Sequence, residues 1–509
     1  MLPFPNLRRF SPRARLDELT YISVSLVFGF LTTAVAQSPF DNFKNYGLLG
    51  VGRIPADTFD RYGDGHQDTL GGLFSAMDAV SGFALLNGKV LFGELLAQPD
   101  RGFGDGAFDY HPRTESLLYF MNLVSPNAQP SPGTTFSQDQ ITLVNFASTI
   151  FRDQSSNNFT GYDASNTNQS AFPAAIVPTS LPGATPGFHR SLDPEGIRLA
   201  PDGTFYTSDE YGPYTYHLTR FGRLLDTIIP PAAFIPKVGS TYGSRVVNFS
   251  AATDPISGRR SNRGFEGLGL TAHGRKLVAM LQSPLIQDGG SKKTAQNTRI
   301  LIFDAHSGSL LHEYVYSLTL NNAGGNTPVS ELLAINDHQF LVLERDNLGR
   351  GSGNAGAPLY KEIVLVDTTG ATDIAGTGYD LELGTPGQLN LPNSASDLAA
   401  AGISPVQRKD FISIIDQTEL ARFGLNVKED AESDQNSITE KWEGLALVPI
   451  RDPRAPDDYI LLVGNDNDFK ASTVYHNGVA IATNTQTIDT FILAYRVHLP
   501  GVTDECPAR

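Results

Sequence analysis

A chain of 509 residues with 40% hydrophobic, 10% aromatic and only 18% charged residues has enough apolar material for a large core and too little charge for a solvated coil, which excludes disorder as its main state. Asp and Glu outnumber Lys and Arg by 54 to 38, a net charge of −16, which excludes a general nucleic-acid binder and favours cations as partners. Gly 49 and Pro 32 point to many turns between short strands, and a single cysteine, Cys506, leaves no internal disulfide.

The chain opens with Arg8, Arg9, Arg13 and Arg15 ahead of an apolar run from Tyr21 to Val35 that closes in Ala34-Val35-Ala36, the charge, core and small-residue pattern of a secretory signal peptide over 1–36. The run is short for a bilayer span, which needs about 20 residues. No second run of comparable length follows, so the expectation is a secreted, extracellular protein with no membrane span once the signal is removed. Sequons at Asn158, Asn168 and Asn248 are the expected glycosylation sites on that route. Outside the cell calcium is abundant, and a chain with many carboxylates and one cysteine would take calcium as its metal.

From residue 74 onward one phrase recurs: an acid and a glycine, a few alternating residues into a turn, then an apolar strand that ends in acids or amides. FSAMDAVSGFALLNGKVLFGELLAQPD (74–100), turning at Asn87-Gly88, is the faintest copy and lacks the starting acid. Residues 124–188, rich in Ser, Asn, Thr and Pro, fit no copy and are expected as a surface insertion. DPEGIRLAPDGTFYTSDEYGP (193–213) is the clearest copy, and GFEGLGLTAHGRKLVAMLQS (264–283) repeats it before a strand pair from Thr298. VSELLAINDHQFLVLERDN (329–347) keeps the acid as Glu331 but places Leu332 where the glycine belongs, and another strand pair starts at Lys361. Residues 390–441, with a short helix expected over 406–423, read as a second insertion. WEGLALVPIRDPRAPDDYILLVGNDND (442–468) is the last copy, and the apolar strand from Asp489 can close the structure. A recurring unit of about four antiparallel strands is the sequence form of a propeller blade, so the expected fold class is all-β: a single β-propeller over 37–509, six blades in a range of five to seven.

Equivalent positions of successive blades encircle one axis, which would gather Glu195, Glu266, Glu331 and Glu443 into one ring. The strand ends would bring Asp209, Glu210, Gln282, Glu344, Asn465 and Asp466 beside it. Carboxylates this close raise one another's pKa, and a cation is the simplest remedy. Carboxylate and amide oxygens without repeated His or Cys favour hard Ca²⁺, with Glu195, Asp209, Glu210, Glu266, Glu331, Glu344, Glu443, Asn465 and Asp466 as its expected ligands. Arg198, Arg263, Arg345 and Lys441 stand beside these acids, either to hold an anionic substrate or to salt-bridge their neighbours. The competing reading has each glutamate bonding backbone amides to lock adjacent blades, with the glycine after it marking a close approach of the next strand. Trp442 reads as a packing residue. No G-x-S-x-G elbow, phosphate loop or H-E-x-x-H spacing occurs.

The motifs DPEGI and DEYGP (193–197, 209–213), GFEGL (264–268), ERD (344–346), WEGLA (442–446) and NDND (465–468) resemble those of the phytase-like family, esterase-like activity of phytase, a secreted propeller family, over about 46–497. The resemblance implies hydrolysis of phosphate or carboxylic esters. Combined with the acid ring it gives Glu195, Glu266 and Glu443 as catalytic carboxylates and Arg198, Arg263, Arg345 and Lys441 as substrate-binding, in a monomer acting on a small anionic ester. Phytate itself is a difficult substrate for so acidic a chain, and a lactone is equally open. The rival expectation is a non-catalytic, metal-binding secreted scaffold.

Overall fold

Apolar runs punctuated by Gly- and Asp-containing turns pair with themselves, and each copy of the phrase becomes the two innermost strands of a four-stranded antiparallel sheet. The computed structural model of the protein describes residues 38–61, 68–85, 90–164, 172–239, 243, 245–321 and 324–502, and Asn42–Arg509 constitute one unit. The expected signal peptide, Asn168 and Cys506 lie outside the described residues. Blade 1 is built from Ala76–Leu85, Val90–Gln98, Arg113–Asn122 and Ile141–Ile150; blade 2 from Pro194–Leu199, Phe205–Asp209, Thr215–Leu218 and Leu224–Ile228. Blade 3 is Phe265–Leu270, Lys276–Leu281, Asn297–Asp304 and Leu310–Ser317; blade 4 is Val329–Ala334, Gln339–Arg345, Lys361–Asp367 and Gln407–Ser413. Blade 5 takes Trp442–Pro449, Asp458–Asn465 and Thr490–His498 from the end of the chain and Lys44–Ile54 from its beginning, in register from Lys44↔His498 to Ile54↔Thr490.

The inner strand of each blade packs against those of its two neighbours, and the inner strands of blades 5 and 1 meet, so the ring closes. The protein is a β-propeller of five blades among the described residues. Five lies within the expected range of five to seven, one below the six favoured: the five copies of the phrase each begin one blade, and the strand pairs between them are outer strands rather than blades of their own.

Burial follows from this stacking. Inner strands are covered on both faces, so FEGLGL (265–270) and KLVAML (276–281) are buried almost throughout, whereas the outermost Leu224–Ile228 and Gln407–Ser413 alternate with solvent. The cores lie between blades: Phe74, Leu117, Leu462 and Ile492 join blades 1 and 5, while Tyr206, Phe265, Leu277 and Phe303 join blades 2 and 3. Trp442 is fully buried against Phe491, as a packing residue. The glycine after each acid meets the neighbouring blade. A Cβ on Gly196 would lie 2.6 Å from Leu268 Cβ, one on Gly267 2.9 Å from Leu332 Cβ, and one on Gly444 3.0 Å from the Phe74 carbonyl oxygen.

The two expected insertions each conceal a blade strand. Ile141–Ile150 completes blade 1 and Gln407–Ser413 completes blade 4. The helix expected over 406–423 is therefore a strand followed by one short helix, Gln417–Ala421, because pairing with Lys361–Asp367 overrides local preference. No helix among the described residues is long and apolar enough to cross a membrane.

Candidate functional site

In blades 2 to 5 a β-bulge at the start of the inner strand aims one side chain at the axis. Pairing shifts register between Phe265/Gly267 and between Trp442/Gly444, leaving Glu266 and Glu443 as the extra residues, and a like shift between Pro194 and Ile197 accommodates Glu195. In blade 4 the shift falls between Val329 and Glu331, so the extra residue is Ser330. One backbone bond confirms this correspondence: the N–H groups of Glu210, Gln282 and Arg345 donate to the carbonyls of Asp193, Gly264 and Pro328, two residues before Glu195, Glu266 and Ser330. Blade 1 supplies Ser75 at this place.

The lower tier of the site is thus Ser75, Glu195, Glu266, Ser330 and Glu443. The residues at or just past the ends of the return strands form a second tier: Asp100, Glu210, Gln282, Arg345 and Asp466. Ser75 Oγ lies 3.4 Å from Glu195 Oε2, 3.3 Å from Glu443 Oε2 and 3.5 Å from Asp466 Oδ2, bringing acids of blades 2 and 5 together at one hydroxyl. Gln282 Nε2 donates to Glu266 Oε1 at 2.7 Å, and Arg345 Nε donates to Ser330 Oγ at 3.0 Å while its Nη2 pairs with Glu443. The cluster is buried and reaches solvent through half-buried Lys441, Asp468 and Arg263.

Several expected ligands lie elsewhere, for reasons of register. Glu331 stands in the glycine column, faces blade 3, and accepts the Leu268 and Leu332 N–H groups at 3.1 and 2.8 Å while pairing with Arg198 at 3.1 Å. Arg198 is three residues beyond Glu195 and reaches from blade 2 to the carbonyls of Met77 in blade 1 and Leu332 in blade 4, closing the channel under the cluster instead of facing a substrate. Asp209 accepts the N–H groups of Asp193, Tyr211 and Gly212 and holds the turn. Glu344, one residue before Arg345, points the opposite way, to Tyr316, Thr327 and Arg408. Asn465 bonds Thr439 and the Phe491 N–H inside blade 5. Of the sequons, Asn158 is half-buried, whereas Asn248 is 6% exposed with Oδ1 on the Ser250 N–H, which leaves no room for a glycan in the folded chain.

Sequence reasoning overlooked Ser75, Arg101, Asp193 and the role of Asp100. Asp100 was legible as the strand-end acid of the faintest copy, and Ser75 as the residue standing where that copy lacks its glutamate.

Among the described residues, two groups of three acids have oxygens within 4.8 Å of one another: Asp100, Asp466 and Asp468, and Asp193, Glu195 and Glu210. Either could hold a metal by geometry, but their surroundings differ. Lys441 Nζ lies 3.7, 3.3 and 3.2 Å from Asp100, Asp466 and Asp468, so an ammonium already closes the first group. In the second, Arg101 is 2.6 Å from Asp193 but 3.9 Å from Glu210. Among the described residues, Glu210 Oε1, Glu266 Oε2 and Gln282 Oε1 are buried acceptors with no donor, and Arg263 Nε is a buried donor with no acceptor. Oxygen acceptors of this kind fit a hard cation.

The electrostatics agree. Burial, then the charges of Glu266 and Asp193, pushes Glu195 well above the usual carboxylate range; burial, then Glu210 and Glu443, does the same to Glu266. Burial and Asp193 push Glu210 up to about 7, and burial pushes Asp466 up to about 6 against the pull of Lys441. Lys441 in turn holds Asp468 below the carboxylate range. Burial lowers the pKa of Arg263, and nearby Glu210 and Glu266 oppose that.

Residues 93–469 match the phytase-like family, described as esterase-like activity of phytase. A protein of Arthroderma benhamiae, described as an uncharacterized secreted protein, is 32% identical over 475 residues, covering 84% of this chain and 87% of that one. Secretion, expected from the N-terminal segment, is shared with this relative. Solved structures that are similar include the β-propeller domain of a Swd1 protein from Myceliophteria thermophila, 11% identical, covering 53% of this chain and 64% of that one at a TM-score of 0.22. The WD40 domain of Toxoplasma gondii coronin is 8% identical, covering 90% and 89% at a TM-score of 0.24.

Proposed function

Because this chain belongs to the phytase-like family, esterase-like activity of phytase, we propose that it is a secreted hydrolase of phosphate or carboxylic esters working at the two-tier acid cluster. The observation that carries the reading is the set of three donorless oxygens, on Glu210, Glu266 and Gln282, beside the unpartnered Nε of Arg263. That is a place for a cation and, next to it, a place for an anion.

Glu195, Glu210, Glu266 and Gln282 are the side chains that would hold the ion, and calcium suits a set made only of oxygens in an extracellular protein. A cation held there supplies Lewis acidity at the ester oxygen and lowers the pKa of water. Arg263 grips the anionic end of the substrate, a role for which a guanidinium whose Nε has no acceptor is suited. Glu443 is oriented by Arg345 and Ser75 to accept a proton from the attacking water. Glu266 would serve as an ionised ligand of the ion, and the proton that Glu443 takes from the water is the one the leaving oxygen receives.

A scaffold reading draws on the opposite corner, where Lys441 closes its acid group without a metal. The two are separated by assaying the secreted protein on phosphomonoester, carboxylic-ester and lactone panels with calcium present. Hydrolysis of one class, reduced at least about 100-fold by Glu266→Gln, is expected. Activity unchanged in both Glu266→Gln and Glu443→Gln would remove the site, and no hydrolysis on any panel would favour the scaffold.

A further inference from the structure

The outer edge of blade 2 breaks the charge pattern of the chain. Its outermost strand, Leu224–Ile228, lies at the opposite side of the sheet from Pro194–Leu199, which carries Glu195, and is entered through the turn Thr219-Arg220-Phe221-Gly222-Arg223. Phe221 stands on this turn 67% exposed, more than any other large hydrophobic residue among those described, and Leu225 follows it at 43%. Arg220 and Arg223 are exposed on either side of Phe221, and Arg152 is exposed beside them.

A lone exposed phenylalanine needs no explanation. This one is presented by a turn that cannot withdraw it. Thr219 Oγ1 accepts the N–H groups of Phe221 and Arg223 at 3.3 and 3.1 Å, and the Thr219 carbonyl accepts the Gly222 N–H at 2.8 Å. Gly222 has φ of 77°, and a Cβ there would collide with the Ile150 carbonyl oxygen, so the turn is pressed against the end of blade 1. Arg152, just past the last strand of blade 1, locks it: its N–H donates to the Gly222 carbonyl and its carbonyl accepts the Leu224 N–H, both at 2.8 Å. The backbone that carries the ring and the three arginines is fixed before any partner arrives, which lowers the ordering cost of binding.

The charges on this edge are uncompensated. Acids outnumber bases 54 to 38 in the chain, yet none of the three arginines forms a salt bridge among the described residues. Their partners are neutral: Arg152 Nε donates to Asn158 Oδ1 at 3.2 Å, Arg223 Nη2 donates to the Gln154 carbonyl at 3.0 Å, and the Arg220 guanidinium lies 4.5 Å from the Phe221 ring centroid. The two neighbouring acids are engaged with their own turns, Asp153 by the N–H groups of Ser155 and Asn157 and Asp226 by that of Thr227.

An aromatic ring extended by a stacked guanidinium, with two further guanidiniums beside it, matches a chain of sugar rings that each carry a carboxylate. The C–H face of one sugar lies on Phe221, and the fork of an arginine takes a carboxylate by two parallel hydrogen bonds. A lipid surface fits less well, since one phenylalanine and one leucine offer little apolar area to bury in the acyl boundary.

We propose that the edge of blade 2 around Phe221 binds an acidic polysaccharide of the uronic-acid type, which docks this secreted protein on a polymer outside the cell. The docking surface goes beyond the hydrolase reading and does not depend on it.

The test is calorimetric titration of an oligogalacturonate into the secreted protein in chelator, so that no calcium bridges the polymer to the acid cluster. The expected result is saturable binding that weakens as salt rises, is lost for an uncharged maltooligosaccharide, and falls at least about tenfold in Phe221→Ala and in the double variant Arg152→Gln with Arg223→Gln. These side chains are exposed and make no salt bridge, so the variants keep the fold. No saturable binding, affinity unchanged in both variants, or binding to phosphatidylserine vesicles with none to the oligogalacturonate would overturn the proposal.

Discussion

Blades 3 and 4 carry glutamates that look alike in the chain, and the fold assigns them opposite surroundings. Glu266 is the bulged residue of its strand, faces the axis and keeps one oxygen without a donor. Glu331 is one register step further on and faces blade 3; both backbone N–H groups it accepts fall on Oε1, and its Oε2, which also lacks a hydrogen-bond donor, lies 3.1 Å from the Arg198 guanidinium. On the proposed reading the first is a ligand of the ion and the second a clamp between blades. A bulge displaced by one residue makes the difference, because in a strand a single step turns a side chain to another face.

The sharpest way to break this comparison is to remove the partner of the clamp. Arg198→Ala leaves the Glu331 carboxylate buried without its cation, and a loss of about 3–5 kcal/mol is expected from chemical denaturation. A loss below about 1 kcal/mol would mean that Arg198 does not close the channel as described. Next comes the acid group that already has its ammonium. Lys441→Met should cost about 3 kcal/mol in chelator, with calcium restoring part of it; the same titration on the unaltered protein should show that group taking no ion.

Smaller effects probe the seam between the two blades. Gly267→Ala would place a Cβ 2.9 Å from Leu332 Cβ and 3.0 Å from the Leu332 nitrogen. Blade 4 must then move, at about 1–3 kcal/mol by the same denaturation experiment. A neutral result would mean that the glycine is not required by packing.

A further effect, spread over several pH units, comes from a buried acid outside both blades. Glu115 in blade 1 accepts from Asn145 and Ser148, and burial together with Asp60 pushes it up to about 8. The folded chain then keeps a proton that the unfolded chain releases near its ordinary pKa. Stability attributable to Glu115 therefore falls as pH rises from about 5 to 8, by at most about 1.4 kcal/mol per pH unit. Glu115→Gln should flatten that slope in thermal unfolding followed across the range.

The repeated hairpins were legible because period-two apolar runs and Gly-containing turns are local signals, and all five copies begin blades. The outer strands of blades 1 and 4 were not, since Ile141–Ile150 and Gln407–Ser413 alternate with solvent and take their strand character from their partners. In the site, Glu195, Glu266 and Glu443 could be read from an acid followed by glycine. Glu331 could not be told from them, because Val-Ser-Glu-Leu aligns with Phe-Glu-Gly-Leu by its glutamate in letters and by its serine in space. Arg101 and Asp193 enter through loop geometry that no periodicity announces.

The central claim is that bulge register, rather than the presence of a glutamate, decides which acids serve the site. Calorimetric calcium titration of Glu266→Gln and Glu331→Gln, side by side with the unaltered protein, tests it most directly. The account predicts affinity lowered at least about tenfold in Glu266→Gln and retained in Glu331→Gln. Equal losses in both, or a loss confined to Glu331→Gln, would contradict it.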